Sequence, residues 1–327
     1  MHKEDNTEES KKRRKPFAGW AGFLKKKNIG EDAVRKDAVR KDTVRDDAVL
    51  EDSARDDEVR KEGSPEEAAP KSDLLSRLLV ILGILLLLLA FSIAGYLVWQ
   101  YTDAQNRYTQ IQSTAGLEVT QSRTVDRDTK LEDLRFDWDA LRALNPEVVA
   151  WIIVPGTNIN YPVVQGADNS YYLYHLFDAS YSGTGSIFAD FEGSKTLDGQ
   201  HNIIYGHNMF DGSMFSDIFL YTNQDYFDDH RVLYLCTPEK NIELSAISCI
   251  KISADAGLRQ FYFETPEDFT AFVFETLSAS VASTSNLQSV IYDTQTLYSF
   301  VTCGTLDAST RITLCCIPVR SVTPSAL

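Results

Sequence analysis

Three of the chain's five cysteines, Cys303, Cys315 and Cys316, lie within fourteen residues. Cys303 differs from the other two because it ends a predicted strand (297–302) and is followed by a glycine. A side chain at a strand end can be exposed and still be held rigidly, as a nucleophile must be. A thiol with an ordinary pKa is mostly protonated at neutral pH, so it also needs a base or a cation nearby. Cys303 is therefore the candidate nucleophile.

The other four cysteines are predicted to be small apolar residues of strands. If Thr237 pairs with Ile242 in a predicted hairpin, Cys236 faces Glu243 and lies roughly 20 Å from Cys249 along the strand. A disulfide needs Cα atoms within about 7 Å of each other. Neighbouring residues of a strand point to opposite faces, so the adjacent pair near the C-terminus does not bridge either. The sequence has no CxxC or HxxH spacing, so we expect no metal site and no cofactor.

The candidate bases are the four histidines beyond the long apolar run: His175, His201, His207 and His230. His207 has the most suitable position, because a predicted strand (202–205) ends at Gly206 and a loop begins there. A lone histidine at such a position is more often structural than catalytic. Its assignment as the base therefore depends on the rest of the chain.

The chain from about Leu131 onward has the pattern of a mainly β domain. Residues 148–166 predict two strands around a Pro-Gly turn. Further strands are predicted in GSIFADF, HNIIYGHNM, RVLYLCTP, IELSAISCIKI, LYSFVTC and RITLCCIPV. A short helix is predicted at 137–147 and a longer one at 265–280, which begins with a capping signal. Many short strands with a single helix inserted predict a closed or nearly closed β-barrel with a few helices.

A membrane-spanning helix is predicted at 78–99, where 22 residues carry no charge. At about 1.5 Å per residue, such a helix crosses a hydrocarbon core of roughly 30 Å. A buried helix of a soluble domain would show a polar face, and the core of a signal peptide would be shorter and nearer the N-terminus.

Basic residues predict the orientation of this span. Lys71 and Arg77 lie just before it, and the first basic residue after it is Arg107. Residues 11–27 place eight basic residues around aromatic ones, a composition that suits the anionic lipids of an inner leaflet, although a solvated basic tail is an equal alternative. We therefore expect a single-pass protein of the cell membrane, with a cytoplasmic N-terminus and an extracytoplasmic C-terminal domain.

The remaining segments complete the predicted domain organisation. Residues 1–77 form a charged cytoplasmic tail, and the pentapeptide repeats at 32–61 give no apolar stripe on a helix, so the tail is predicted to be mostly disordered. Residues 100–130 are polar and are predicted to be a stalk or linker, followed by the extracytoplasmic domain at 131–327. The first 77 residues hold equal numbers of acidic and basic residues, so the rest carries the whole net charge of −15. Such an acidic domain is not expected to bind nucleic acid.

Several separate segments resemble the sortases, the cysteine transpeptidases of Gram-positive bacterial surfaces. These are NIIYGHNMFDGSMFSDI, VTC and, eight residues further, the arginine of TRITL. The segments NPEVVAWIIVPGTNINYPVVQGADNSYYLYHLF, GSIFADF and YFDDHRVLYLCTP resemble class B sortases in particular. The resemblance covers about residues 131–320, in the order that the family shows.

This resemblance implies a function and a set of site residues. Cys303 would attack a carbonyl inside the C-terminal sorting signal of a surface protein or pilin and form a thioester. His207 would act as the general acid. Arg311 would stabilise the thiolate, the substrate carbonyl or the developing oxyanion, with the Gly304 N–H as a second donor. An amine acceptor, such as a peptidoglycan precursor or a pilin lysine, would then resolve the thioester.

The sequence departs from the family pattern in two places. The residue two before the cysteine, commonly polar, is Val301, and we expect Val301 and Thr302 to contact substrate. The loop from Cys303 to Arg311 is also short, with eight steps. The first departure bears on substrate preference, and the second bears on how the sorting signal is held.

Two other classes of function stay open. One is a different extracytoplasmic cysteine hydrolase or transpeptidase, although the Ser-His-Gly-Cys-like run expected of an L,D-transpeptidase is absent from the sequence. The other is a non-catalytic surface-binding barrel, which would be expected to lack one of the three residues His207, Cys303 and Arg311.

Overall fold

The structure, a computed structural model, describes residues 71–117, 125–303 and 309–324, with only the backbone described at 71–73 and at Cys303. Residues from Gly95 onward belong to one packed unit, and the described helical residues up to Ala94 belong to a second. The predicted cytoplasmic tail and its repeats lie outside the described residues, and their disorder stays a prediction.

Helix α1 (Lys71–Thr114) contains the predicted membrane span. Every side chain from Leu74 to Trp99 is exposed, and the helix is long and apolar enough to cross a membrane. Exposed apolar surface of this extent is unfavourable in water and favourable in hydrocarbon. Helix α1 is thus consistent with a single-pass membrane anchor.

Nine strands form a single sheet within the described residues. They are β1 (Val148–Ile153), β2 (Asn160–Val164), β3 (Ile187–Ala189), β4 (His201–Tyr205), β5 (Val232–Cys236), β6 (Asn241–Ser253), β7 (Ser280–Ser283), β8 (Leu297–Cys303) and β9 (Thr310–Val322). Their order is β5-β1-β2-β3-β4-β8-β9-β6, and β5 also pairs with β6. Eight strands therefore close into a barrel, with β7 added beside β6, which confirms the predicted fold class.

Two strand pairs of the barrel are parallel, β2 with β3 and β4 with β8, and the other pairs are antiparallel. Strands β6 and β9, of thirteen residues each, pair along their whole length. Alternate side chains fill the barrel, and Trp151, Phe215 and Phe300 are fully buried there. Each buried side chain of this kind contributes about 1.5–3 kcal/mol relative to an exposed one.

Five further helices lie between the strands: α2 (Trp138–Leu144), α3 (Ser216–Leu220), α4 (Gln224–Asp229), α5 (Pro266–Leu277) and α6 (Leu287–Asp293). Helix α5 begins, as predicted, at a capping box of Thr265 and Asp268. It buries one face together with α6 in a second apolar cluster outside the barrel. The prediction of a single inserted helix is wrong, because α3, α4 and α6 have only five to seven residues and too few turns for a periodic pattern.

The segment predicted to be a stalk differs from the prediction in its described part. Residues 100–114 continue α1, and Ala104, Tyr108 and Ile111 are buried in the main core of the barrel unit. The Tyr108 hydroxyl donates a 2.8 Å hydrogen bond to the Gly185 carbonyl. Spacings of four and three residues bring these side chains to one face of the helix, so a mostly polar sequence still carries an apolar stripe. The packed domain therefore begins before Leu131.

The predicted register of the β5–β6 hairpin is also wrong. Leu235 pairs with Ile242 and Cys236 pairs with Asn241, so Cys236 does not face Glu243. The four-residue turn lies one residue earlier than predicted, because Thr237 is part of it and donates to the Lys240 carbonyl through both its backbone N–H and its hydroxyl. The expectation that Cys236 and Cys249 form no disulfide is nevertheless confirmed, since both are free thiols.

The packing of α1 generates a stability prediction. Tyr108→Ala should lower the free energy of unfolding of a soluble 100–327 fragment by about 3 kcal/mol, because it removes a buried aromatic ring and leaves a cavity. Gln110→Ala, at an exposed position of the same helix, is the matched control and should change it by no more than about 0.5 kcal/mol. Urea unfolding measures both values, and equal effects of the two substitutions would contradict the burial of Tyr108 in the core.

Candidate active site

The pairing of β4, β8 and β9 brings the three predicted catalytic positions to one edge of the barrel. Tyr205 on β4 pairs in parallel with Val301 on β8, and the Gly206 N–H donates to the Val301 carbonyl at 3.1 Å. His207 and Cys303 each follow this pair by two residues along neighbouring strands. On the other side of β8, Cys303 pairs directly with Arg311 of β9. The backbones of all three residues thus meet at the same strand ends.

The His207 ring is oriented by a backbone carbonyl. Its Nε2 lies 2.8 Å from the Leu173 oxygen. A carbonyl oxygen only accepts, so Nε2 carries the hydrogen and Nδ1 is the nitrogen that gains or loses a proton. Burial lowers the pKa of His207, and the Leu173 carbonyl opposes this by favouring the charged ring. His207 is therefore mostly neutral at neutral pH.

The backbone around His207 has no spare room. A Cβ atom added at Gly206 would lie 2.5 Å from Ile187 Cδ1 and 2.7 Å from the Phe215 ring. The His207 carbonyl accepts a 2.9 Å hydrogen bond from the Phe215 N–H, which closes the loop that follows β4. The glycine before the histidine is thus required by close packing, and the loop is fixed at both ends.

Arg311 is half-buried at the start of β9, between Cys303 on β8 and Ile252 on β6. One of its guanidinium nitrogens, Nη1, donates to the Thr310 carbonyl at 3.0 Å. A guanidinium has five donor hydrogens and keeps its charge at all physiological pH values. Arg311 can therefore present donors and a fixed positive charge at the edge where Cys303 lies.

The other three histidines have structural partners. His201 is buried, its Nδ1 donates to the Gln260 carbonyl and its Nε2 contacts the Ser299 hydroxyl. His230 Nδ1 donates to the Tyr226 carbonyl, so its Nε2 is the nitrogen that accepts from Arg127 at 3.0 Å. His175 stacks on the Tyr171 ring, with centroids 3.9 Å apart.

The four remaining cysteines are free, fully buried thiols. Burial raises the pKa of Cys249 and of Cys315 to about 12 and also raises that of Cys236 and Cys316. Cys316 belongs to the barrel core, whereas Cys315 belongs to the cluster under α5 and α6. The two neighbours thus point to opposite faces of β9, as predicted.

The structure does not support substrate contacts through the side chains of Val301 and Thr302, which are 3% and 2% exposed. Val301 packs against Ile203 and Leu258 on the outer face of β4 and β8. Thr302 points to the opposite face of β8, as its neighbour in an extended strand must. Gly304 lies outside the described residues, and its role as an oxyanion donor stays a prediction.

Two features of the site have no simple sequence signal. The Leu173 carbonyl is a backbone group, so its contact with His207 cannot be inferred from residue types. Arg259 forms a bidentate ion pair with the buried Asp190, with distances of 2.7 and 2.9 Å, and Asp190 also accepts from the Tyr205 hydroxyl. Burial alone would raise the pKa of Asp190, but the hydrogen bonds from Arg259, the Glu192 N–H and the Tyr205 hydroxyl, with the charge of Arg259, together outweigh burial and lower this pKa. This pair anchors the loop that covers Val301.

The chain is similar to curated and solved proteins of one kind. Sortase B of Staphylococcus aureus is 29% identical over 211 residues, which are 63% of this chain and 83% of that protein. Sortase B of Listeria monocytogenes is 28% identical over 214 residues, 65% of this chain and 83% of that protein. The crystal structure of sortase B from Bacillus anthracis in complex with AAEK1 has a TM-score of 0.57 at 26% identity and covers 68% of this chain and 99% of its own. No protein-family model matches the chain.

The closed barrel and these relatives together define a sortase, a cysteine transpeptidase. Both curated relatives and the solved structure are sortases of class B, and the chain is similar to this class over most of the length of each. The resemblance inferred from the sequence is thereby confirmed.

The burial of His201 generates a prediction about pH and stability. Burial lowers the pKa of His201 from 6.5 to about 4. Between these values the unfolded chain binds a proton that the folded chain does not, so stability falls as pH falls. From pH 7.5 to 5.0 this histidine should cost about 2 kcal/mol of unfolding free energy.

Urea unfolding of the 100–327 fragment at these two pH values measures the loss. Between these pH values, His201→Gln should lose about 2 kcal/mol less unfolding free energy than the unsubstituted protein. All other groups titrate alike in both proteins, so their contributions cancel in the difference. His175→Gln, at a half-exposed position, is the control and should keep the full loss. Identical losses in all three proteins would refute the assignment.

Proposed function

We propose that this sortase cleaves a C-terminal sorting signal of surface proteins or pilins through a thioester on Cys303 and transfers the acyl group to an amine. The observation that carries the proposal is the strand register, in which β4, β8 and β9 bring His207, Cys303 and Arg311 to one edge. A nucleophile, an acid and a cation are the three groups that acyl transfer from an amide requires.

In the first step the Cys303 thiolate attacks the carbonyl carbon of the scissile amide. A tetrahedral intermediate forms, and its oxygen takes the negative charge. The Arg311 guanidinium stabilises this charge, and the N–H of Gly304 is a second donor by its position directly after the nucleophile. Arginine suits this role better than lysine because its donors are fixed in a plane and its charge is permanent.

In the second step the carbon–nitrogen bond breaks and the departing amine needs a proton. His207 supplies it from Nδ1, since Nε2 is bonded to the Leu173 carbonyl. The reactive pair, thiolate with imidazolium, is a minority of the resting enzyme, because the pKa of His207 is lowered and a thiol has an ordinary pKa of about 8.5. This combination favours a slow enzyme with a bell-shaped pH profile.

An amine then attacks the thioester carbonyl, the Cys303 thiolate leaves, and a new amide bond joins the surface protein to the acceptor. Acceptors of the right chemistry are a peptidoglycan precursor and a pilin lysine. A sortase B has been solved in complex with triglycine, a peptide with a free amine. Triglycine is therefore the first acceptor to test.

The proposed location is the cell membrane, with α1 as a single-pass anchor, the N-terminus in the cytoplasm and the catalytic domain outside. The exposed apolar helix supports the anchor, and the basic residues before the span support the orientation. Membrane lipids around α1 and along the basic 11–27 segment would then be partners of the chain.

The catalytic assignment predicts the effect of three substitutions. Cys303→Ala and His207→Ala should each abolish turnover, and Arg311→Lys should lower it at least ~100-fold, about 2.7 kcal/mol of transition-state stabilisation. Arg231→Lys, which alters an arginine bonded to β6 instead, should keep turnover within about twofold.

The measurement is cleavage of a panel of sorting pentapeptides by the 100–327 fragment, with and without triglycine. New amide product that depends on triglycine supports transpeptidation, and hydrolysis alone would favour the alternative of a cysteine hydrolase. Near-normal cleavage by Cys303→Ala would end the proposal.

The orientation predicts the outcome of protease treatment of intact cells. An external protease should digest the C-terminal domain and spare a tag fused to the N-terminus, because lysines and arginines near a span stay on the cytoplasmic side. Permeabilised cells, in which both ends are digested, are the control. Loss of the N-terminal tag from intact cells would reverse the proposed orientation.

A further inference from the structure

The loop between β2 and β3 contains the backbone carbonyl that orients His207. We call residues 171–186 of this loop the clamp loop. It begins with a single turn of 3-10 helix, whose last residue is Leu173, and Leu173 presents its oxygen to His207 Nε2 at 2.8 Å. The position of one peptide group in this loop therefore contributes to the orientation of the His207 ring.

Gly185 packs directly behind that peptide group. A Cβ atom added at Gly185 would lie 2.6 Å from the Leu173 oxygen and 2.6 Å from the Tyr172 oxygen. Both are backbone atoms, so a side chain cannot be accommodated by a rotamer change. Gly185 also has a φ of 60°, in the left-handed region that glycine adopts without strain. The close approach of the two chain segments thus requires a glycine.

Gly185 is in turn held by the helix that leads into the domain. The buried Tyr108 hydroxyl donates to the Gly185 carbonyl at 2.8 Å and lies 3.2 Å from the Ser186 hydroxyl. The Ser186 N–H donates to the Tyr172 carbonyl at 2.9 Å, which ties the end of the clamp loop to its start. A continuous series of contacts therefore runs from α1 through Gly185 to the Leu173 carbonyl.

A second attachment makes the clamp loop a defined structure. Asn145, the residue after α2, donates through Nδ2 to the Phe177 carbonyl at 2.8 Å and to the Tyr172 hydroxyl at 2.9 Å. Asn145 and Tyr172 are both buried, so these bonds are shielded from water. With one end held by α2 and the other by α1, the loop has little freedom to move the Leu173 carbonyl.

We propose that Tyr108 and Gly185 are positioning residues of the transpeptidase, which act through the Leu173 carbonyl to hold the His207 ring with Nδ1 towards the reaction. The proposal rests on the proposed function for the role of His207. It assigns to the helix of the membrane anchor a part in catalysis, beyond attaching the domain. Neither residue touches the substrate in this scheme.

The contact with Leu173 favours the charged form of the ring, so weakening the contact lowers the pKa of His207 further. In a bell-shaped profile that needs imidazolium with thiolate, the acidic limb then moves to lower pH and the maximum falls by the same factor. A purely structural defect lowers the amount of active enzyme and leaves the limb in place. The register brings Cys303 and Arg311 towards His207 from β8 and β9, and both stay unchanged in the variants below.

The experiment compares the full-length chain in detergent micelles with three variants: Gly185→Ala, Tyr108→Phe and Gly183→Ala. Gly183 lies two residues from Gly185, and an added Cβ there would meet nothing within 4 Å, so Gly183→Ala is the matched control. Tyr108→Phe keeps the buried ring and removes only the hydroxyl. Ring-carbon NMR of the five histidines gives the pKa of His207 directly, with His207→Ala for assignment.

We expect the pKa of His207 to fall by about half a unit or more in Gly185→Ala, by less in Tyr108→Phe, and not in Gly183→Ala. With the pentapeptide that the panel identifies, the acidic limb of kcat/KM should shift equally, and the maximum should fall about threefold or more in Gly185→Ala. If Gly185→Ala does not fold, Tyr108→Phe decides.

An unchanged or raised pKa of His207 in the folded variants overturns the proposal. Full turnover by His207→Ala would refute the proposed function instead, and the NMR result would still report whether the clamp loop holds the ring. The two failures are therefore distinguishable.

Discussion

The parallel pairing of β4 with β8 is the interaction on which the site depends. Five consecutive residue pairs, from His201 with Leu297 to Tyr205 with Val301, fix the two strands in register. A slip by one residue would turn every side chain of β8 to the opposite face and would move Cys303 away from the end of β4. Two residues of β8 oppose such a slip: the Ser299 hydroxyl is hydrogen-bonded to buried His201, and Phe300 packs in the barrel core.

Barrel closure gives this pairing its rigidity. Parallel strands cannot be joined by a tight turn, so β4 and β8 are brought together by the whole intervening chain. That chain supplies β5 and β6, which close the barrel, and β6 pairs along its thirteen residues with β9, which in turn pairs with β8. The reactive edge thus joins β4 to β8, two strands that are distant in sequence. The loop between β2 and β3, which the barrel holds at both ends, then orients the His207 ring through the Leu173 carbonyl.

The sequence was sufficient for the fold class and for most strands, because alternating apolar runs and turn residues are local signals. The capping box of α5 was predictable for the same reason. Elements of five to seven residues were missed, since they are too short to show a period. The packing of Tyr108 was missed as well, because one aromatic residue among glutamines and threonines indicates burial only when its partner surface is known. The site residues came from motifs, whereas the Leu173 carbonyl and the Gly185 contact are properties of the backbone in three dimensions.

The four buried thiols have a consequence for how the chain folds. In the folded domain each is protonated and shielded, so neither oxidants nor other disulfides reach it readily. In the unfolded chain all five cysteines are accessible, and Cys315 and Cys316 are neighbours on β9, whose partner β6 lies far away in sequence. Sheets made from such distant segments assemble slowly. In an oxidising compartment, barrel closure therefore competes with thiol oxidation. A chain that is oxidised before the barrel closes is trapped by a non-native disulfide.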